Sequence, residues 1–101
     1  MLVELSVIPL GVGEHLSGSL AELLKIIHVS GVPYKLTPSG TCLEGDWNQV
    51  MDVIKQCHTK ARETSRHVFT SIRIEDEEGA DDKLARNIFA IEQKVGHELS
   101  R

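Results

Sequence analysis

At 101 residues the chain has the length of one domain, long enough to bury roughly two thirds of the surface it exposes when unfolded. Its formal net charge is −4, with 26% charged residues of both signs interspersed, which argues against a nucleic-acid or anionic-membrane surface, since both need a basic stripe. Residues 1–10 are apolar but lack the basic flank and cleavage site of a secretory signal, and no apolar run approaches the length of a membrane span. Cys42 and Cys57 therefore read as reduced thiols of a cytoplasmic protein.

Residues 2–10 alternate as a strand, with Val3, Leu5 and Val7 on one face and Glu4, Ser6 and Ile8 on the other. Pro9 removes a ladder donor, so pairing should stop near it. The turn Leu10-Gly11-Val12-Gly13 follows. A helix is expected from about Ser17 to Ser30, capped by Ser17 or Ser19. Its buried stripe is Leu16, Leu20, Leu23, Leu24 and Ile27, with Gly31 just past its end.

Residues 34–37 and 41–44 flank Pro38-Ser39-Gly40, a turn sequence, and form a hairpin. Tyr34, Leu36 and Leu43 are expected toward the helices. Lys35, Thr37, Cys42 and Glu44 are expected on the opposite face, and a bulge beside the turn would invert residues 41–44. Asp46 and Gln49 fit a capping box opening a second helix, Trp47 to Thr64. Its stripe is Trp47, Val50, Val53, Ile54, Cys57 and Ala61. Strand four spans His67 to Glu75, with Val68, Thr70, Ile72 and Ile74 on one face and Phe69, Ser71 and Arg73 on the other. After an acidic loop expected to cap it, a third helix runs from about Asp82 to Leu99. Leu84, Ile88, Ile91, Val95 and Leu99 make a narrow stripe of the kind that seals a helix–helix seam.

The order strand, helix, hairpin, helix, strand predicts an α+β, ferredoxin-like βαββαβ sandwich over residues 1–101. Its four-stranded antiparallel sheet has order 4-1-3-2, two helices cover one face, and an extra C-terminal helix follows. The second sheet face mixes Glu4, Ser6, Ile8, Lys35, Thr37, Cys42, Glu44, Phe69, Ser71 and Arg73, with Glu4 positioned to pair with Arg73. Apolar residues on that face, together with the helix-three stripe, point to a homo-oligomer: a dimer through sheet faces, extended by the stripe to a tetramer.

The sequence offers little catalytic chemistry. No histidine pair or Cys–His set has metal-ligand spacing, and Cys57-His58 fall on different faces of a helix. Gly11-Val12-Gly13 resembles a phosphate-cradling loop only in outline. The acidic run 75–82 lacks calcium-loop spacing. No cofactor is expected.

Glu4-Leu5-Ser6-Val7-Ile8-Pro9-Leu10-Gly11, Tyr34-Lys35-Leu36-Thr37-Pro38-Ser39-Gly40-Thr41, Glu44-Gly45 and Thr70-Ser71-Ile72-Arg73-Ile74 resemble, in order and over nearly the whole chain, the thiamine-binding (YkoF-like) family of small ferredoxin-like proteins. The resemblance implies paired-sheet dimers, commonly tetramers. It also implies non-enzymatic binding of thiamine or its hydroxymethylpyrimidine part. A pocket for that cation needs a carboxylate, hydroxyls and an apolar or aromatic wall. Glu4 or Glu44 would supply the carboxylate, Ser6, Thr37 and Ser71 the hydroxyls, and Ile8, Leu10 and Phe69 the wall. The expected site lies between the sheet face and the loop at Leu10–Gly13. Two other readings stand beside it. One is a structural or regulatory oligomerisation module with no small-molecule ligand. The other is an enzyme acting on a small heterocycle through Glu44 or His67.

Overall fold

The alternating and helical periods of the sequence resolve into the expected elements in a computed structural model that describes residues 1–101. They are β1 (Leu2–Pro9), α1 (Leu16–Ser30), β2 (Tyr34–Thr37), β3 (Gly40–Glu44), α2 (Trp47–Thr64), β4 (Val68–Glu75) and α3 (Lys83–Val95). The sheet order is β2-β3-β1-β4, with every neighbour antiparallel. Read from the other edge this is 4-1-3-2, the ferredoxin-like arrangement.

The core lies between one sheet face and helices α1 and α2. Val3, Leu5 and Val7 of β1 and Leu43 of β3 meet Leu23 and Ile27 of α1 and Val50, Val53, Ile54, Cys57 and Ala61 of α2, all buried. Each large aliphatic group in such a layer contributes about 1.5–3 kcal/mol by leaving water. The phase of β3 is the expected one. Leu43 points into the core, and no bulge intervenes in the register Tyr34↔Leu43, Lys35↔Cys42, Leu36↔Thr41, Thr37↔Gly40. Gly40 is required there for space: a Cβ would lie 2.7 Å from the Leu5 carbonyl oxygen.

Helix α2 opens with the predicted capping box. The Gln49 N–H donates to Asp46 Oδ1 at 2.8 Å, and the Asp46 N–H donates to Gln49 Oε1 at 3.5 Å. Helix α1 begins differently from expectation. A 3-10 turn, Gly13–His15, runs straight into it, and His15 occupies the N-cap without a side-chain bond. Ser17 and Ser19 thus lie inside the helix rather than capping it. Its C-terminus closes as expected on Gly31, at φ +79°. β1 ends at Pro9, which still pairs with Val68 of β4.

Several side chains depart from expectation. Trp47 is 57% exposed rather than part of the α2 stripe, and Leu36 is 65% exposed because β2 is an edge strand. Helix α3 ends at Val95, four residues short of the Leu99 expected from the sequence pattern, because the left-handed Gly96 (φ +97°) closes it. Of its predicted stripe, Leu84 and Ile88 are half-buried while Ile91, Val95 and Leu99 are exposed. The buried residue of α3 is instead Glu92, whose carboxylate accepts the Leu99 N–H at 2.7 Å and lies 3.6 Å from Arg101. Glu4 and Arg73 face each other in register, but no ion pair joins them. The ion pairs of this region run from Lys83 to Glu75 and Glu77.

Candidate functional site

The first feature that positions a site is the unequal length of the strands flanking β1. β4 pairs with β1 along its whole length, Leu2 to Pro9, whereas β3 pairs only from Leu2 to Leu5. The turn Pro38-Ser39-Gly40 ends the hairpin at that level. Beyond it, α1 and the hairpin tip stand apart, leaving a cleft of about 690 Å³. Leu16, Leu20 and Leu24 of α1 form one wall. Leu5 and Val7 form the floor, Ser6 and Ile8 of the same strand lie at its rim, and Leu36, Thr37, Ser39 and Thr41 form the far side. No charged side chain lines it. It is thus an apolar cavity with a few hydroxyls, the usual composition of a small-molecule site.

Ladder geometry adds a polar group that side-chain reading overlooks. In an antiparallel sheet, successive residues direct their N–H and C=O alternately to the two neighbours. The Leu10 N–H donates to the His67 carbonyl on the β4 side, and the Met1 carbonyl accepts from the Gly45 N–H on the β3 side. Even-numbered residues of β1 therefore bond toward β4 and odd-numbered ones toward β3. Val3 and Leu5 find partners in Leu43 and Thr41. The residue that would face Val7 is Ser39, in the turn, and no main-chain bond joins them. The N–H and C=O of Val7 therefore open toward the cleft. Pro9 is tolerated in β1 for the same reason, since its missing donor would also have pointed to this unpaired side.

The cleft brings together Ser6, Ile8 and Thr37 from the residues expected to bind a ligand. Phe69 and Ser71 lie opposite Ile8 and Ser6 in the β1–β4 register, on the open sheet face, and Glu4 is on that face opposite Arg73. Leu10 leaves β1 at the far end, where its carbonyl accepts from the buried Ser65 hydroxyl at 2.6 Å. The Thr37 hydroxyl donates to the Gly40 carbonyl at 3.0 Å, which stiffens the turn beside the cleft.

Glu44 is set apart from this group. It faces away from the core, as expected, yet is only 8% exposed because α3 covers it. Its two carboxylate oxygens accept the N–H groups of Lys83 and Leu84 at 2.5 and 3.0 Å. It is the cap of α3, the position where an anion is favoured by unpaired donors and the helix dipole. The acidic loop does not cap the helix, because Asp82, at the N-cap with φ +66°, makes no side-chain bond to it. Glu44 pairs with Leu2, while the main chain of His67 meets Leu10. The two are separated by roughly 26 Å of β1 at about 3.3 Å per residue, too far to act on one substrate.

Two further hollows are more polar. One, of about 490 Å³, lies between α1 and α2 beside Glu14, His15, Glu22 and Lys60. The other, of about 390 Å³, lies at the start of α3 beside Lys35, Glu44, Asp81 and Asp82. Neither has the apolar walls of the first cleft. Among the histidines, His58 Nδ1 is 2.6 Å from the Thr70 hydroxyl and His28 Nδ1 is 2.8 Å from the Tyr34 hydroxyl, both away from the cleft. The Cys57 thiol lies at the back of the cleft, where burial pushes its pKa up to about 11, so it is held as a neutral thiol. Burial also raises that of Cys42 on the open face, and the nearby Glu4 carboxylate adds to the effect.

The model of the family described as "Thiamine-binding protein" matches residues 3–92. The chain belongs to this thiamine-binding protein family. Curated relatives include a UPF0045 protein of Staphylococcus xylosus, 31% identical over 98 residues, covering 91% of this chain and 92% of the relative. A UPF0045 protein of Mycobacterium bovis is 29% identical over 94 residues, covering 92% of each. Among solved structures, a hypothetical protein of Methanocaldococcus jannaschii superposes with a TM-score of 0.82 at 24% identity, covering 89% of this chain and 93% of the other. A Thermotoga maritima protein described as a "putative thiamine biosynthesis/salvage protein" superposes with a TM-score of 0.73 at 22% identity, covering 94% of each. These structures share the ferredoxin-like fold. No helix of this family member is long and apolar enough to cross a membrane.

Proposed function

We propose that this protein binds thiamine or a related hydroxymethylpyrimidine compound without transforming it, in the cytoplasm, for salvage, transport or sensing of the vitamin. The observation that carries the proposal is the apolar, hydroxyl-rimmed cleft between α1 and the β2–β3 turn, in a chain of the thiamine-binding protein family. The description of the Thermotoga neighbour supports the same ligand class. The cleft suits a flat, weakly polar ring. Leucines line it, and Ser6 and Thr37 stand at its rim, where their hydroxyls would meet the edges of the ring. Ile8 supplies wall. Glu4 and Ser71, with Phe69 and Leu10 further along the sheet, lie outside the cleft and act on the part of the ligand that projects from it. Glu4 is the carboxylate that favours a cationic thiazolium there. Glu44 is already engaged by α3 and would have to release it to serve as a ligand.

Self-association belongs to the same reading. Ile8 and Phe69 on the open sheet face, and Phe89, Ile91 and Val95 on α3, are each about half exposed. Large apolar groups left in water in this way favour burial against a second copy. The sheet faces would form a dimer and the α3 stripes a tetramer. That same exposure favours, as a second reading, an oligomerisation module without a ligand.

Isothermal titration calorimetry with thiamine, hydroxymethylpyrimidine and thiamine phosphate separates the two readings. Saturable binding of at least one of them, weakened by Ser6→Ala, is the expected result. No heat with any of the three, from folded protein that sediments as an oligomer, would overturn the ligand reading in favour of the module.

A further inference from the structure

We infer that the main-chain N–H and C=O of Val7 form the recognition edge of the cleft, pairing with the ring nitrogen and adjacent exocyclic amine of an aminopyrimidine. The inference rests on the ligand reading above and adds which atoms recognise the ring. The hairpin sets the geometry. β3 pairs with β1 only as far as Leu5, so the ladder position of Val7 on that side has no strand opposite it. Neither main-chain group finds a substitute in the turn. Val7 itself is 7% exposed, at the floor of the cleft between α1 and Ser39. A nearly buried donor and acceptor without partners are costly to leave unmet, so they are the groups whose pairing a ligand can most improve.

The chemical complement follows from the geometry of an extended residue, which presents its N–H and C=O side by side on one edge. A matching ligand must offer an acceptor next to a donor in one plane. The ring nitrogen and neighbouring amine of a 4-aminopyrimidine do so. The cleft contributes no charged side chain that would favour another chemistry at this point. Phosphate and carboxylate groups carry acceptors alone and would leave the Val7 carbonyl unmet. The recognition is a strand-addition contact in miniature, with a heterocycle occupying the place that one residue of a longer β3 would fill. Discrimination of this kind is strong, because an analogue lacking one partner leaves a buried polar group of the protein unpaired.

The test uses the full chain and three probes: 4-amino-5-hydroxymethyl-2-methylpyrimidine, the same ring without the amine, and the pyridine in which the ring nitrogen beside the amine is replaced by CH. Loss of either partner should weaken binding by about tenfold or more. In 15N-resolved spectra the Val7 amide should exchange faster than those of Val3 and Leu5 in the free protein, then shift downfield and gain protection with the aminopyrimidine. A chain made by chemical synthesis with the Val7 amide replaced by an ester keeps the side chain and removes only the donor. It should fold normally and lose affinity for the parent compound but not for the pyridine. Equal affinity for all three probes, with an unmoved Val7 amide, would overturn this inference and leave the ligand reading intact. No binding of any probe, nor of thiamine, would overturn the ligand reading and this inference with it.

Discussion

Removing the carboxylate of Glu44 should release α3 from the domain while leaving the rest folded. Glu44→Ala deletes the two acceptors that hold the Lys83 and Leu84 N–H groups. Charge-assisted hydrogen bonds contribute about 1.5–3 kcal/mol each, and loss of a helix cap costs about 0.5–2 kcal/mol. The two bonds share one desolvated carboxylate, so their contributions do not add in full. A net loss of about 2 kcal/mol is the reasonable expectation, roughly a 30-fold fall in the docked-to-undocked ratio. α3 is vulnerable because its 13 residues are too few for a stable isolated helix, and most of its apolar side chains are not packed. Hydrogen exchange followed residue by residue is the suitable assay. Protection of the amides from Asn87 to Val95 should drop by about that factor, while those of Val53, Ile54 and Cys57 in α2 stay unchanged. Glu44→Gln, neutral but still able to accept one bond, should fall between. Unaltered exchange across α3 would refute the idea that Glu44 anchors it. An equal loss of protection in α2 would show that α3 is part of the core's cooperative unit.

Other consequences concern the core and the titrating groups. Leu43→Ala, at a fully buried position, should lower unfolding free energy by about 2–5 kcal/mol in urea melts, whereas Leu36→Ala at the exposed edge should change it by less than about 0.5 kcal/mol. The Cys57 thiol, raised to about 11, should resist alkylation in native protein at pH 8 and react at the ordinary rate once denatured. Glu75 is held below the usual glutamate range first by its hydrogen bond to Lys83 and then by that group's charge. A depressed carboxylate contributes stability above its unfolded pKa and loses it as pH falls through the folded one. The Glu75 carboxyl carbon should therefore titrate below ordinary glutamate in NMR, and Lys83→Ala should return it toward the ordinary range.

The order and type of every element were legible because each signal was local. Alternation marked β1 and β4, the Pro-Ser-Gly turn marked the hairpin, and the Asp46–Gln49 box fixed the start of α2. The phase of residues 41–44 depended on whether a bulge sat beside the turn, and Leu43 faces the core because none does. The misjudged features depend on tertiary partners. The start of α1 is set by a 3-10 turn, not a serine cap. Trp47, the first residue of α2, is left exposed, and Glu44 is claimed by a helix that begins 39 residues later. Of the residues grouped by side-chain chemistry on one sheet face, Ser6, Ile8 and Thr37 lie at the cleft, whereas Glu44 meets the start of α3. The Val7 main chain escaped notice because its side chain reads simply as core. The signal lay in lengths: β1 extends beyond the point where Pro38-Ser39-Gly40 turns the hairpin back, so one of its edges had to remain open.

Ligand should enter between α1 and the hairpin turn, and everything proposed for the cleft depends on that entry. An amide-resolved NMR titration of the intact protein with thiamine tests it most directly. Saturable shifts centred on Ser6 to Ile8, Leu16 to Leu24 and Leu36 to Thr41 are predicted, with α3 little affected. Shifts centred instead on Asp81 to Ala85 and Lys35, or no shift at saturating concentrations, would contradict it.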